Sequence, residues 1–106
     1  RQGAVSVLSG DEPLAAAAIE DLDAQLQSCF THGQPRLVID LERVPLLNSA
    51  GLEWLVDAAE KCFHRGGQVQ LASPNALCGD ILRITGVADQ IEVHDDVASA
   101  VRSFSR

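Results

Sequence analysis

The segment RLVIDLERVPLLNSAGLEWLVDAAEKCFHR, residues 36–65, changes its apolar rhythm halfway along. Residues 36–41 are a short, nearly continuous apolar run, the pattern of a strand covered on both faces. Over residues 50–65 the apolar side chains return at helical spacing, with Leu52, Leu55, Val56, Ala59 and Phe63 on one face. Gly66-Gly67 then ends the helix. Between the two patterns stand the small residues Asn48-Ser49-Ala50-Gly51. The question is why a hydroxyl sits where a strand hands over to a helix.

The same alternation recurs on both sides of this segment. AVSVLSG, residues 4–10, is β-branched and alternating, and ends at glycine, as a strand does. Asp11-Glu12-Pro13 predicts a helix start, and Leu14, Ala18, Leu22, Leu26 and Cys29 carry its apolar stripe to about Thr31. Gly33-Gln34-Pro35 breaks it. After the helix of residues 50–65, QVQLA (68–72) alternates as a strand. Ser73-Pro74 predicts an N-cap and first helical residue, followed by Leu77, Ile81, Leu82 and Ile84, with Gly86 as the stop. QIEVH (90–94) reads as a last strand, and Asp95-Asp96 caps a final helix with Val97, Ala100, Val101 and Phe104. Strands alternating with helices prefer parallel pairing and right-handed crossovers. The expected fold is therefore α/β: a layered domain with a mostly parallel sheet of four to five strands and about four helices. Residues 1–106 are expected to form a single domain; position 1 is Arg, so the sequence can be part of a longer chain.

Composition narrows the function classes. The chain has 106 residues, 46% apolar and 22% charged, and a net charge of −7. A surplus of carboxylates argues against a phosphate-backbone partner and against an anionic membrane surface. No apolar run approaches the ~20 residues of a membrane span, so no membrane insertion is expected. Cys29, Cys62 and Cys78 form no C-x-x-C; Cys29 and Cys62 fall near apolar helical positions and read as small hydrophobes, and a reducing cytoplasm is the expected compartment. His32, His64 and His94 are scattered without metal-ligand spacing, and neither a metal nor any other cofactor is expected.

Ser49 follows the central strand and enters the next helix, so it lies beyond the carboxyl end of the sheet, where α/β domains collect their sites. Its hydroxyl, or the amide of Asn48, can cap the free N–H groups of that helix. The same N–H groups and the helix dipole would also stabilise a phosphate on the serine. Gly51 is expected to leave the backbone open to close approach. A hydrolase reading fails: Ser49 lacks the G-x-S-x-G elbow and no histidine is credibly placed beside it. An enzyme is not expected.

Taken together, residues 36–104 resemble the STAS domains, in particular the bacterial anti-sigma-factor antagonists. The resemblance is carried by Asp40-Leu41, Asn48-Ser49-Ala50-Gly51-Leu52, Gly66-Gly67, Ser73-Pro74, Thr85-Gly86 and Asp95-Asp96 in that order. Residues 4–31 match more loosely, with Ser9-Gly10 at the place of a glycine-containing turn. The resemblance implies a STAS-like fold and a regulatory binding module. Its partners would be an anti-sigma factor, often itself a serine kinase, and a phosphatase that resets the switch. It implies Ser49 as phosphoacceptor, and a binding surface of Asn48, Ala50, Gly51, Leu52, Glu53 and Trp54 with Gly10 and Asp11. Trp54 lies off the apolar stripe, which leaves two readings: a partly exposed interface anchor or packing against a neighbouring helix. Where the family motif has Asp this chain has Asn48, which removes a charge beside the acceptor. That departure makes a second reading attractive: an unphosphorylated STAS subunit of a lipid-trafficking transporter or of a sensor complex.

Overall fold

The structure is a computed structural model and describes residues 5–9, 16–29 and 36–104. Its elements run β1 (Ser6–Ser9), α1 (Ala16–Cys29), β2 (Arg36–Asp40), α2 (Ser49–His64), β3 (Gln68–Ala72), α3 (Ala76–Ile84), α4 (Val87–Gln90), β4 (Val93–His94) and α5 (Val97–Ser103). The strands form one 4-stranded sheet in the order β1-β2-β3-β4, and every neighbouring pair is parallel. Val38 stands between Val7 and Gln70, and Leu71 pairs with Ile39 and Val93.

This monotonic order explains the layering. When each strand is added on the same side of its predecessor, right-handed crossovers place every connecting helix on one face. Leu22 and Leu26 of α1, Leu55, Ala58 and Cys62 of α2, Cys78 and Leu82 of α3, and Val87 of α4 accordingly share one core with Leu37, Ile39, Val69 and Leu71. Among the described helices α5 alone, which follows the last strand, crosses the other face; Ala100 packs there on Val38 and Ala72, with Val97, Val101 and Phe104 at the margin. β2 is covered on both faces, as its continuous apolar run predicts. Each leucine taken fully out of water there contributes roughly 1.5–3 kcal/mol. The buried Gln70 faces α5, where its side chain pairs with the Ser103 hydroxyl.

Four expectations are corrected. First, the buried face of α2 is Gly51, Trp54, Leu55, Ala58 and Cys62. Of the stripe read from the sequence, Leu55 lies in that face, Leu52, Val56 and Ala59 are half-buried at its edge, and Phe63 is 75% exposed. The reason is rotational, since α1 packs against the Trp54 side and turns Phe63 outward. Second, α3 is capped by Asn75, whose Oδ1 accepts from the Cys78 N–H at 2.7 Å, not by Ser73. Ser73 instead adopts a left-handed backbone, φ 59°, in the turn after β3, and its N–H donates to the His94 carbonyl. Third, an extra helical turn, α4, stands between α3 and β4. Gly86 at φ 84° ends α3 and lets the chain re-enter a helix at once. That turn takes up residues 87–90 and leaves only Val93–His94 for the last strand. Fourth, Leu77 and Ile84 of α3 are 53% and 80% exposed, while Cys78 and Leu82 bury its inner face. The helix start expected at Asp11–Pro13 and the site residues Gly10 and Asp11 lie outside the described residues.

Candidate functional site

The segment joining β2 to α2 is built to hold a helix start at the carboxyl edge of the sheet. Leu41 extends the ladder by one bond, its N–H donating to the Ala72 carbonyl at 2.8 Å. The chain then turns: Asp40 Oδ1 accepts from the Glu42 N–H, and the Val44 N–H donates to the Leu41 carbonyl at 3.0 Å. Val44 and Leu47 are buried and pin the segment to the core, leaving Leu46 between them 41% exposed.

A second clamp comes from α3. Asn75 Nδ2 lies 3.3 Å from both the Val44 and Pro45 carbonyls while its Oδ1 caps α3. The Cys78 thiol donates to the Val44 carbonyl at 3.4 Å. Burial pushes that thiol's pKa up, so it stays protonated and remains a donor. One amide and one thiol thus tie two helix starts together across the sheet edge. Sequence reasoning missed Asn75. Its signal was present, an Asn immediately before an apolar helix, but Ser73-Pro74 offered a competing start two residues earlier.

At the mouth of α2 the roles of neighbours separate. Asn48 has an extended backbone, φ −110° and ψ −176°, and its Oδ1 accepts from the Gly51 N–H at 3.0 Å. Its carbonyl accepts from Leu52 at 2.9 Å, closing the first helical turn. The cap is therefore Asn48. Ser49 is the first helical residue; it is exposed, and among the described residues nothing hydrogen-bonds to its hydroxyl. The N–H groups of Ser49 and Ala50 likewise have no partner among the described residues. No acidic residue lies in the first turn of α2, so the positive end of the helix dipole is not compensated there by a side chain.

The remaining candidates divide by exposure. Glu53 is exposed, and Ala50 and Leu52 are half-buried, so these three surround the hydroxyl on an accessible surface. Gly51 is buried, which contradicts the expectation of open backbone at that position. Trp54 is 7% exposed and its Nε1 donates to Asp23 Oδ1 of α1 at 3.2 Å. It is a packing residue between two helices and not an exposed anchor, because its position on α2 points into the α1 seam. Among the described residues no cluster of His, Cys, Asp and Glu is arranged to hold a metal ion. Among the same residues no helix is long and apolar enough to cross a membrane.

A family model described as STAS domain matches residues 1–100. This chain belongs to the STAS domain family. Solved structures agree with the fold. An anti-sigma-factor antagonist (STAS) domain protein from Planctomyces limnophilus superposes with a TM-score of 0.80 at 18% identity, covering 94% of this chain and 90% of that one. A sulfate transporter family protein from Wolinella succinogenes gives 0.83 at 19%, covering 97% and 85%. The STAS domain of a SulP transporter from Vibrio cholerae gives 0.75 at 20%, covering 93% and 79%. No curated protein matches this chain. The STAS fold thus serves antagonists and transporter domains alike, and the chemistry around Ser49 has to separate them.

Proposed function

We propose that this STAS domain is an anti-sigma-factor antagonist: a non-enzymatic module that binds an anti-sigma factor through the mouth of α2 and is released by phosphorylation of Ser49. The observation that carries this reading is the uncommitted, exposed Ser49 hydroxyl beside a capped helix start. A serine recruited as a cap would be held by its own helix. Here the amide of Asn48 takes that duty, and the hydroxyl is accessible to a kinase. A phosphate adds about −1.5 to −2 charges and three acceptor oxygens. On the protein's own side it would meet the dipole and the N–H groups of Ser49 and Ala50, which stabilise it. On the partner's side it would stand in a small-residue surface one helical turn from Leu52, where bulk, desolvation and charge oppose contact. A 100-fold loss of binding requires only about 2.7 kcal/mol of such opposition.

The test is incubation with an anti-sigma-factor kinase and ATP, read by intact mass, alongside capture of that partner by three variants. The expected result is one phosphate on the wild type and none on Ser49→Ala. Ser49→Ala should capture the partner as well as the wild type, and Ser49→Asp should capture it poorly. Equal capture by all three would end the phospho-switch reading.

Asn48 favours a second reading, an unphosphorylated STAS subunit of a transporter or sensor complex, since an amide replaces the motif carboxylate beside the acceptor. Capture of the partner without any mass gain, undiminished in Ser49→Asp, would select it. Neighbouring genes give an independent discrimination: an anti-sigma kinase in one case, transporter components in the other.

A further inference from the structure

The outer edge of α2 and the short helix α4 enclose a groove that meets the site at Ser49 only at Leu52 and Glu53. Its deeper part is about 870 Å³, floored by Val56, Ala59, Val69, Ala88 and Ile91. A shallower stretch of about 290 Å³ continues it toward Leu52 and Thr85, the two sharing Val56 and Gln90. Phe63 stands at the lip, 75% exposed, its ring edge toward His64. A large aromatic ring left in water beside an apolar channel is the feature that marks an anchor position.

The walls are acidic. Glu53, Asp57 and Glu60 line the α2 side at helical spacing, and Asp89 lines the α4 side. Glu92 lies at the floor's far end, 3.1 Å from His94 Nε2. Among the described residues lining the groove there is no Lys or Arg, and His64 is the only group able to carry positive charge. The stretch from Leu52 to Phe63 rises about 17 Å along α2, the length of roughly three helical turns.

We propose that this groove is a second docking surface and that its occupant is a basic amphipathic helix of a partner protein. An apolar stripe on such a helix would cover the floor and Phe63, and its flanking Lys or Arg side chains would meet carboxylates on both walls. A second copy of this chain is a poor occupant, because it brings a net charge of −7 to an acidic face. Nucleic acid and anionic lipid are repelled for the same reason. Phe63 lies about 21 Å along the helix from Ser49 by its rise. The deeper part of the groove, from Val56 to Phe63, therefore lies clear of a phosphate at the helix mouth, and its occupancy is independent of the proposed switch.

The test uses two synthetic helical peptides with identical leucine positions, one with lysines and one with glutamates between them, titrated into the ¹⁵N-labelled chain. The lysine peptide is expected to shift amides of Val56, Ala59, Phe63, Ala88 and Asp89, and to weaken roughly tenfold between low and high salt. Phe63→Ala, a surface change that leaves the fold intact, should weaken it roughly tenfold. The pair Glu60→Lys and Asp89→Lys should shift the preference toward the glutamate peptide. Ser49→Asp should bind the lysine peptide like the wild type, so failure here and failure of the switch are read separately. Equal response to both peptides would overturn the proposal. So would shifts confined to the Leu77–Ile84 face of α3, indifference to Phe63→Ala, or self-association of the peptide-free chain through the groove.

Discussion

Asn48 Oδ1 accepts the Gly51 N–H at 3.0 Å, and through this bond the amide does the work that its neighbour Ser49 is chemically able to do. Both residue types are good caps. Only one side chain takes the role, and the choice sets which is structural and which is available. Replacing Asn48 by Ala should cost about 1 kcal/mol of stability, the usual loss of a cap. Replacing it by Asp should keep the cap and add a charge that the helix dipole favours. Urea midpoints of the two variants check both expectations.

Ser49→Ala should change stability by less than about 0.5 kcal/mol, as for any exposed group without a partner. Ser49→Asp should stabilise the chain by about 0.3–1 kcal/mol, because a carboxylate then faces the positive end of α2. The two variants therefore separate folding from function: a loss of partner capture in Ser49→Asp cannot be ascribed to unfolding. Thermal and urea unfolding of both variants is the measurement.

Asn75 holds more than one element. Its side chain caps α3 and also reaches the Val44 and Pro45 carbonyls. Asn75→Ala should cost about 1–3 kcal/mol, more than Asn48→Ala, since a cap and two further bonds to the Val44 and Pro45 carbonyls are lost together. Hydrogen exchange should accelerate at Leu47 and through the first turn of α2, far along the sequence from the substitution.

Trp54 supplies its own readout. With its ring buried and Nε1 bonded to Asp23, the indole emission should be that of an interior tryptophan and should stay unchanged when a partner occupies the mouth of α2. Trp54→Ala should cost about 3–5 kcal/mol through the cavity it leaves. A spectral shift on partner binding would return Trp54 to the interface.

Asp96 governs part of the acid limb. Its carboxylate accepts from the Ser99 N–H at 2.7 Å at the start of α5, and this bond holds its pKa below the ordinary 3.8. A pKa depressed by folding means the unfolded chain binds the proton more readily. The contribution of Asp96 is therefore complete above the ordinary carboxylate range and is lost as pH falls through its folded pKa. Asp96→Asn, which keeps a capping oxygen, should flatten the stability profile from the ordinary carboxylate range downward, within the acid limb.

The alternation of strands and helices was legible in the residues, because apolar periodicity and turn residues act over a few neighbours. Residues 68–72 are the strand expected of them, and α2 begins within one residue of its expected start. The residues also determined that a hydroxyl stands at a helix mouth, since Ser49 is adjacent in the chain to everything that places it there. Tertiary structure alone decided which face of α2 is inner. That depends on where α1 lies, and α1 draws Trp54 inward and leaves Phe63 in water. It decided that Asn75 and not Ser73 caps α3, because only Asn75 also reaches carbonyls of a segment distant in sequence. And it decided that α4 exists and walls a groove: four residues carry too little periodicity to be read alone, and Val87 becomes a core residue only once the helix it begins has packed against α2.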